Sequence, residues 1–220
     1  SPTLAGLGAW TYEAIWCPFA DFFRRYGSSA LLILGLIACY RISDVVMGVM
    51  SNSFYVDLQF SKTEVATITK VYGVIMTLVG AALGGVLVMR FGTLRILFLG
   101  AVLTASTNLL FALLNEVGHD LELLTLIISL DNLSAGIATA AFVTYLSSLT
   151  NVAFSATQYA LFSSIMLLMP KLLAGFSGQV VEQIGYSSFF VGTSLLGIPV
   201  MILIIMVAKR GDALLPQADK

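Results

Sequence analysis

Residues 123–149 read LLTLIISLDNLSAGIATAAFVTYLSSL, a long apolar stretch in which Asp131 is the only charged residue. A helix needs roughly 20 predominantly apolar residues to cross the hydrocarbon core of a bilayer. This stretch therefore predicts a membrane-spanning helix. Asp131 lies about nine residues from its start, or roughly 13 Å along the helix axis, which is close to the middle of a membrane.

The rest of the chain has the same apolar character. It contains 220 residues, of which 58% are hydrophobic and 10% charged, and its mean hydropathy is +0.95. An average soluble domain is about 25% charged. Five further runs are long enough to span a bilayer, at residues 30–55, 65–88, 96–114, 156–181 and 188–207. We therefore predict an all-α membrane protein with six transmembrane helices in residues 29–210.

The basic residues between these runs predict the orientation of the helices. Nearly all of them fall on one side of a six-span weave, and only Lys62 falls on the other; the first group is Arg24, Arg25, Arg90, Arg95, Lys209 and Arg210. Loops rich in Lys and Arg stay in the cytoplasm. Both ends of the chain are therefore predicted to be cytoplasmic.

The two terminal segments are predicted to lie outside the spans. Residues 8–26 mix aromatic and charged side chains, which is typical of an amphipathic helix in the membrane interface; a disordered linker is the alternative. We assign residues 1–28 to a cytoplasmic linker and residues 211–220 to a cytoplasmic tail. Because the chain starts at Ser1 rather than Met, we interpret it as a piece of a longer protein whose N-terminal part has been removed.

Five charged residues lie inside the predicted spans: Arg41, Asp44, Lys70, Asp131 and Lys171. A charge at the centre of a bilayer costs roughly 2.5–3.5 kcal/mol on insertion scales. A chain that retains five of them is expected to gather them in a shared polar cavity. This pattern indicates a transporter.

The two acidic residues are the candidates for proton coupling. Asp131 would be desolvated near the midplane, which favours the neutral over the charged carboxyl, and a group that can exist in both forms suits proton transfer; a structural hydrogen bond is the alternative. Arg41 and Asp44 are three residues apart and share a helical face. They form either a structural ion pair or, with Tyr40, one wall of the substrate cavity.

The remaining candidates would contact substrate. Lys70 and Lys171 could hold an anionic group or pair with Asp44 or Asp131, and Lys70 could also extend to the membrane surface. Asn132 and Gln158 could donate hydrogen bonds to a sugar or peptide, or could serve packing and capping instead.

The sequence lacks the motifs of several function classes. There is no G-x4-G-K-[ST] loop for ATP, no HExxH pair, no Cys/His cluster, no Ser/His/Asp set with suggestive spacing and no basic stripe for nucleic acid. We predict no catalytic residue, no metal and no cofactor. The energy for transport would come from an ion gradient or from a missing domain.

Three stretches resemble the AmpG muropeptide permeases, a group within the major facilitator superfamily. They are YRISD at 40–44, DNLSAGIATAAFV at 131–143 and FSATQYAL at 154–161, and a degenerate form of the superfamily's loop motif follows the second span as GVLVMRFG at 85–92. Asp131 stands where the family often has Glu, Arg41 where it has Lys, and Lys171 where an Arg is common. Each replacement keeps the charge.

The resemblance implies the C-terminal six-helix half of a proton-coupled permease of the bacterial inner membrane. Such a permease imports N-acetylglucosaminyl-anhydro-N-acetylmuramyl peptides for peptidoglycan recycling and, in some bacteria, for β-lactamase induction. Its partners would be the muropeptide, protons, lipid and an N-terminal six-helix half. The alternatives are a facilitator for another anionic solute such as acetyl-CoA and, from a different class, a six-span scaffold or enzyme.

Overall fold

The computed structural model describes residues 16–210. Every regular element in that part is helical, and six helices are long and apolar enough to cross a membrane. This confirms the predicted all-α class and the number of spans. Residues 1–15, with the start of the predicted interfacial helix, and the predicted tail 211–220 lie outside the described residues.

Short breaks divide most of the spans into separate helices. Helix α1 (Cys17–Tyr26) falls in the predicted interfacial segment, and the first span contains α2 (Ala30–Cys39) and α3 (Ile42–Asp57). The second contains α4 (Lys62–Thr67), a π-helical turn (Ile68–Gly73) and α5 (Val74–Phe91). The third and fourth are the continuous helices α6 (Thr93–Val117) and α7 (Leu121–Leu149). The rest of the chain forms α8 (Ser155–Ala174), α9 (Ser177–Leu195) and α10 (Gly197–Lys209).

The turn between the fifth and sixth spans lies inside α9, at Gly185. Its φ of 77° and ψ of 168° are not helical and belong to a region that glycine occupies almost alone. Hydrogen bonds to α3 show that the chain reverses here, because the contacts move from the second turn of α3 to its last residue and back to its first turn; the pairs are Ser177 with Val46, Tyr186 with Asp57, and Thr193 with Ser43. Residues 177–184 therefore continue the fifth span. The turn falls within the break that the sequence predicts at residues 182–186.

The second and fourth spans pack with their backbones almost in contact. Gly80, Gly84 and Gly136 lie between α5 and α7, and a Cβ atom at Gly136 would lie 2.4 Å from the carbonyl oxygen of Thr77. Small residues at a spacing of four permit such close approach in membranes. The Gly80-x3-Gly84 spacing permits this close approach, and Gly80, Gly84 and Gly136 use it between the second and fourth spans.

Buried aromatic side chains fill the bundle in two clusters. One lies towards the end that carries α1 and contains Phe22, Tyr40, Phe142 and Phe162. The other lies towards the opposite end and includes Phe54, Phe111 and Phe190. The polar central site described below lies beside the start of α3, between them.

At each end of the bundle, segments that the six-span arrangement predicts on the same side of the membrane contact one another. At one end the hydroxyl of Tyr186 donates to Asp57 over 2.7 Å, and Ser187 donates to Glu116 over 2.5 Å. At the other end Arg25 reaches the carbonyl oxygen of Leu149 over 3.1 Å. Which end faces the cytoplasm stays a prediction from the basic residues, as does the division into linker, bundle and tail.

Candidate functional site

The first span is broken where its charged residues lie. Helix α2 ends before Tyr40, and α3 starts after Arg41, whose φ of −97° and ψ of 5° depart from the helix. The Arg41 guanidinium forms an ion pair with Asp44 in the first turn of α3 and also donates to the hydroxyl of Thr139 on α7 over 3.1 Å. Only about a quarter of each charged side chain is exposed. The pair is therefore held in a defined position between two spans.

A small cavity lies beside this pair. It has a volume of about 20 Å³ and is lined from the first span by Tyr40, Arg41 and Asp44, with further walls from α6 and α7. The α7 wall consists of Ala135, Ala138 and Thr139. These positions follow Asp131 by four, seven and eight residues, so they continue its face of the helix.

Asp131 itself is held from α6. The Thr107 hydroxyl donates to Asp131 Oδ1 over 2.9 Å. Two carboxyls and one guanidinium thus share the interior of the bundle. We call Tyr40, Arg41, Asp44, Asp131 and Thr139 the central site.

Tyr40 joins the central site to the apolar core. Its hydroxyl donates to the carbonyl oxygen of Leu97 over 3.1 Å, and its ring stacks on Phe142 with a centroid distance of 4.4 Å. The side chain is 8% exposed. Its ring forms part of the cavity wall, while its proton is engaged within the protein.

A buried polar network surrounds Ser43, the residue that precedes Asp44 in α3. The Asn108 amide donates to the hydroxyls of Ser43 over 2.9 Å and Thr193 over 3.2 Å, and Ser43 donates to the carbonyl oxygen of Thr193 over 2.6 Å. The sequence analysis did not single out this network. The signal for it is an Asn within an otherwise apolar span, since a buried amide needs hydrogen-bond partners.

Asn132 faces the second span rather than the cavity. Its Oδ1 accepts from the hydroxyl of Thr77 over 3.0 Å, and its amide donates to the carbonyl oxygen of Ile128 over 2.8 Å. A Cβ atom at Gly73 would lie 3.4 Å from the Asn132 amide nitrogen. In this conformation Asn132 joins the fourth span to the second, and its substrate role stays a prediction.

Gln158 lies far from the central site, at the end of the bundle that is predicted to be cytoplasmic. Its amide donates to the carbonyl oxygen of Pro18 over 2.9 Å and to Asp21 over 3.0 Å. Its Oε1 accepts from Arg25 over 3.1 Å and from the Asn151 backbone over 2.7 Å. The side chain is 1% exposed, so all its polar capacity is used inside the protein. We call Asp21, Arg25, Asn151 and Gln158 the inner cluster.

The two intramembrane lysines are not at the central site either. Lys70 lies on the π-helical turn and lines a separate cavity together with Lys62. Lys171 is exposed in α8, and no carboxylate of residues 16–210 lies within 4 Å of its ammonium. The structure thus brings Tyr40, Arg41 and Asp44 together with Asp131 near them, and places the other four candidate residues elsewhere.

Comparison with known proteins gives this arrangement a family. The chain is 33% identical over 207 residues to a transporter named AmpG 4 in Rickettsia felis, a match that covers 94% of this chain and 49% of that protein. It is 32% identical over 195 residues to the anhydromuropeptide permease of Escherichia coli K12, which covers 88% of this chain and 39% of the permease. The chain belongs to the AmpG family of transporters. No protein-family model matches it.

Membership of the AmpG family fits the helical arrangement. Six spans without strands in the described residues are what one half of such a transporter requires. The chain spans about half the length of the curated relatives it matches.

Proposed function

We propose that this chain is the C-terminal half of a permease of the bacterial inner membrane that imports anhydro-muropeptides together with protons for peptidoglycan recycling. The similarity to a protein named anhydromuropeptide permease supports the substrate. The observation that supports proton coupling is the central site, where the Arg41–Asp44 ion pair shares a cavity with the face of α7 that Asp131 begins, inside a membrane-spanning bundle.

The geometry of the central site provides a route from proton binding to substrate binding. In the described conformation Asp44 and Thr139 hold the Arg41 guanidinium. A proton on Asp44 removes the charge that holds Arg41, and the guanidinium is then free to donate two parallel hydrogen bonds to a carboxylate of the substrate.

The second half of the transporter is needed to complete the substrate site. The cavity on this chain holds about 20 Å³, whereas sites for ligands of drug size hold roughly 300–1,000 Å³. In the proposed permease an N-terminal six-helix half faces the wall formed by Tyr40, Arg41 and Thr139. The substrate then binds between the two halves near the bilayer midplane.

Uptake by the full-length gene product in membrane vesicles tests this function. With labelled anhydro-muropeptide and an imposed pH gradient, we expect uptake in wild type and its loss in Asp131→Asn, with exchange across a preloaded membrane partly retained. Glu182→Gln is the control, since Glu182 is exposed and lies near the Gly185 turn. Uptake by Asp131→Asn that still follows the gradient contradicts the coupling role.

The substrate is tested in the same vesicles with a competing anion. Wild-type uptake of labelled acetyl-CoA but not of anhydro-muropeptide contradicts the proposed substrate and leaves the transporter assignment intact.

Asp44→Asn serves as the second coupling variant. We expect it to lose gradient-driven uptake because Arg41 no longer has a partner that can gain and lose a charge.

A further inference from the structure

A second cavity lies between the end of the first span and the start of the second, on the side predicted to be external. Its volume is about 340 Å³, and its walls come from α3, α4 and the π-helical turn. Its polar lining residues are Asn52, Tyr55, Lys62, Thr69 and Lys70. A shallower depression beside it, of about 460 Å³, is lined by the same two lysines. Lys62 and Lys70 thus project at the boundary between two open spaces.

Neither lysine has an acidic partner among residues 16–210 within 4 Å. The carboxylates near them are engaged elsewhere. Asp57 accepts from the Tyr186 hydroxyl over 2.7 Å, and Glu64 accepts from the Ser61 backbone over 2.8 Å and lies 3.8 Å from His119. The cavity therefore carries two positive charges that the surrounding loops do not neutralise.

The spacing of the lysines selects for an elongated anion. Eight residues separate Lys62 from Lys70, which places their backbones roughly 12 Å apart along the helix axis. Ala66 lies between them on the same wall and leaves the space open. A compact anion reaches one ammonium at a time. A peptide with several carboxylates reaches both.

The local backbone fixes the position of Lys70. It lies in the π-helical turn Ile68–Gly73, a rare conformation that is frequent at functional sites. Gly73 at the end of this turn packs against Asn132 of α7. The turn is therefore supported from the fourth span, and Lys70 does not lie on a frayed helix end.

We propose that this cavity, the lysine cavity, is a binding subsite for the acidic peptide part of the substrate, separate from the central site. Lys62 and Lys70 attract its carboxylates, and Asn52 offers an amide to its backbone. The inference rests on the proposed function, because the anion is taken to be the peptide of an anhydro-muropeptide. The side predicted to be external is the side from which an imported substrate arrives.

The experiment compares two ligands that differ only in the peptide. Uptake of an anhydro-muropeptide tripeptide and of the same anhydro-disaccharide without peptide is measured in vesicles that contain the full-length protein. In the double variant Lys62→Gln, Lys70→Gln we expect KM for the tripeptide form to rise roughly three- to tenfold, since each exposed ion pair contributes modestly. KM for the peptide-free form should stay within twofold of wild type, a shift below about 0.4 kcal/mol.

Two further variants check that charge is the cause. Lys62→Arg with Lys70→Arg should retain the wild-type KM, and the difference between the two ligands should shrink at high ionic strength because salt screens exposed charges. Lys209→Gln is the control, because it removes an exposed charge at the end of α10, on the side predicted to be cytoplasmic. It should behave as wild type with both ligands.

The outcomes separate this subsite from the proposed function. If wild type takes up neither ligand, the proposed function fails. If wild type takes up both and the double variant leaves the tripeptide KM unchanged, the lysine cavity is not a subsite while the proposed function stands. An equal rise in KM for both ligands indicates instead that the lysines do not act on the peptide, and this also overturns the inference.

Discussion

Gly80 lies so close to Leu133 that a Cβ atom at Gly80 would be 2.2 Å from the Leu133 carbonyl oxygen. No side chain lies between the second and fourth spans at this point. The contact is between two backbones, which cannot move aside as a flexible side chain can. The same holds on the facing helix at Gly136.

Gly80→Ala and Gly136→Ala are expected to destabilise the bundle. Overpacking costs about 1–3 kcal/mol in a well-packed core, and a backbone obstacle places these variants at the upper end. Thermal unfolding in detergent measures the effect. Gly85→Ala is the matched control, because nothing lies within 4 Å of its Cβ position. Equal melting temperatures for all three variants would show that the two helices are not in close contact.

The Arg41–Asp44 pair predicts a pattern across three variants. Arg41→Gln and Asp44→Asn each leave one charge in the bundle interior without its partner, which is more costly than removing both. We expect lower melting temperatures in both single variants and recovery in the double variant. Gradient-driven uptake should be absent in all three, because each variant removes the guanidinium proposed to bind substrate, the carboxyl proposed to release it, or both. A double variant that transports normally would assign the pair to structure alone.

Gln158→Ala tests the inner cluster. The change leaves the Asn151 backbone N–H and the Pro18 carbonyl without the partners seen in the structure. An unsatisfied buried group costs about 1–3 kcal/mol, so we expect a clear loss of thermal stability and faster proteolysis around α1. Gln183→Ala is the control, because Gln183 is exposed. A raised KM with unchanged stability would instead support direct substrate binding by Gln158.

Asn108→Ala tests the buried network. Its amide connects the third span to Ser43 and Thr193. Its removal leaves a space and deletes two buried hydrogen bonds, although both hydroxyls still donate to carbonyl oxygens. We expect a loss of about 1–3 kcal/mol in the free energy of unfolding. Ser106→Ala on the same helix should be nearly neutral, because Ser106 is exposed and bonds only to the carbonyl of Val102. The melting temperatures of the two variants, measured side by side, test this prediction, and equal values contradict it.

Local pattern was sufficient to predict the helices. The long apolar runs predicted six spans because hydrocarbon thickness sets the length of a crossing helix. The spacing of Arg41 and Asp44 predicted a shared face, because residues three apart are neighbours on a helix. The break at Tyr40 and Arg41 was not predicted, since neither Pro nor Gly marks it.

Contacts between distant spans were not available from local pattern. Asn132 adjoins Asp131 in sequence, yet its side chain bonds to Thr77, because successive helical residues point about 100° apart. Gln158 was expected near substrate, but its neighbours come from α1 and from Asn151. In the sequence, Lys62 bears only on the orientation of the helices. Its position in one cavity with Lys70 follows from the fold of α4 and the π-helical turn.

The glycine contact between the second and fourth spans connects the helices that carry the two proposed sites. The second span carries Lys62 and Lys70, the fourth carries Asp131, and Asn132 adds a hydrogen bond between the two helices. Backbones in direct contact do not slide past one another without separating. The lysine cavity and the Asp131 carboxyl therefore belong to one mechanical body. In the proposed permease, any rotation that moves Asp131 also moves the two lysines, so peptide bound at the lysine cavity would favour or oppose that rotation.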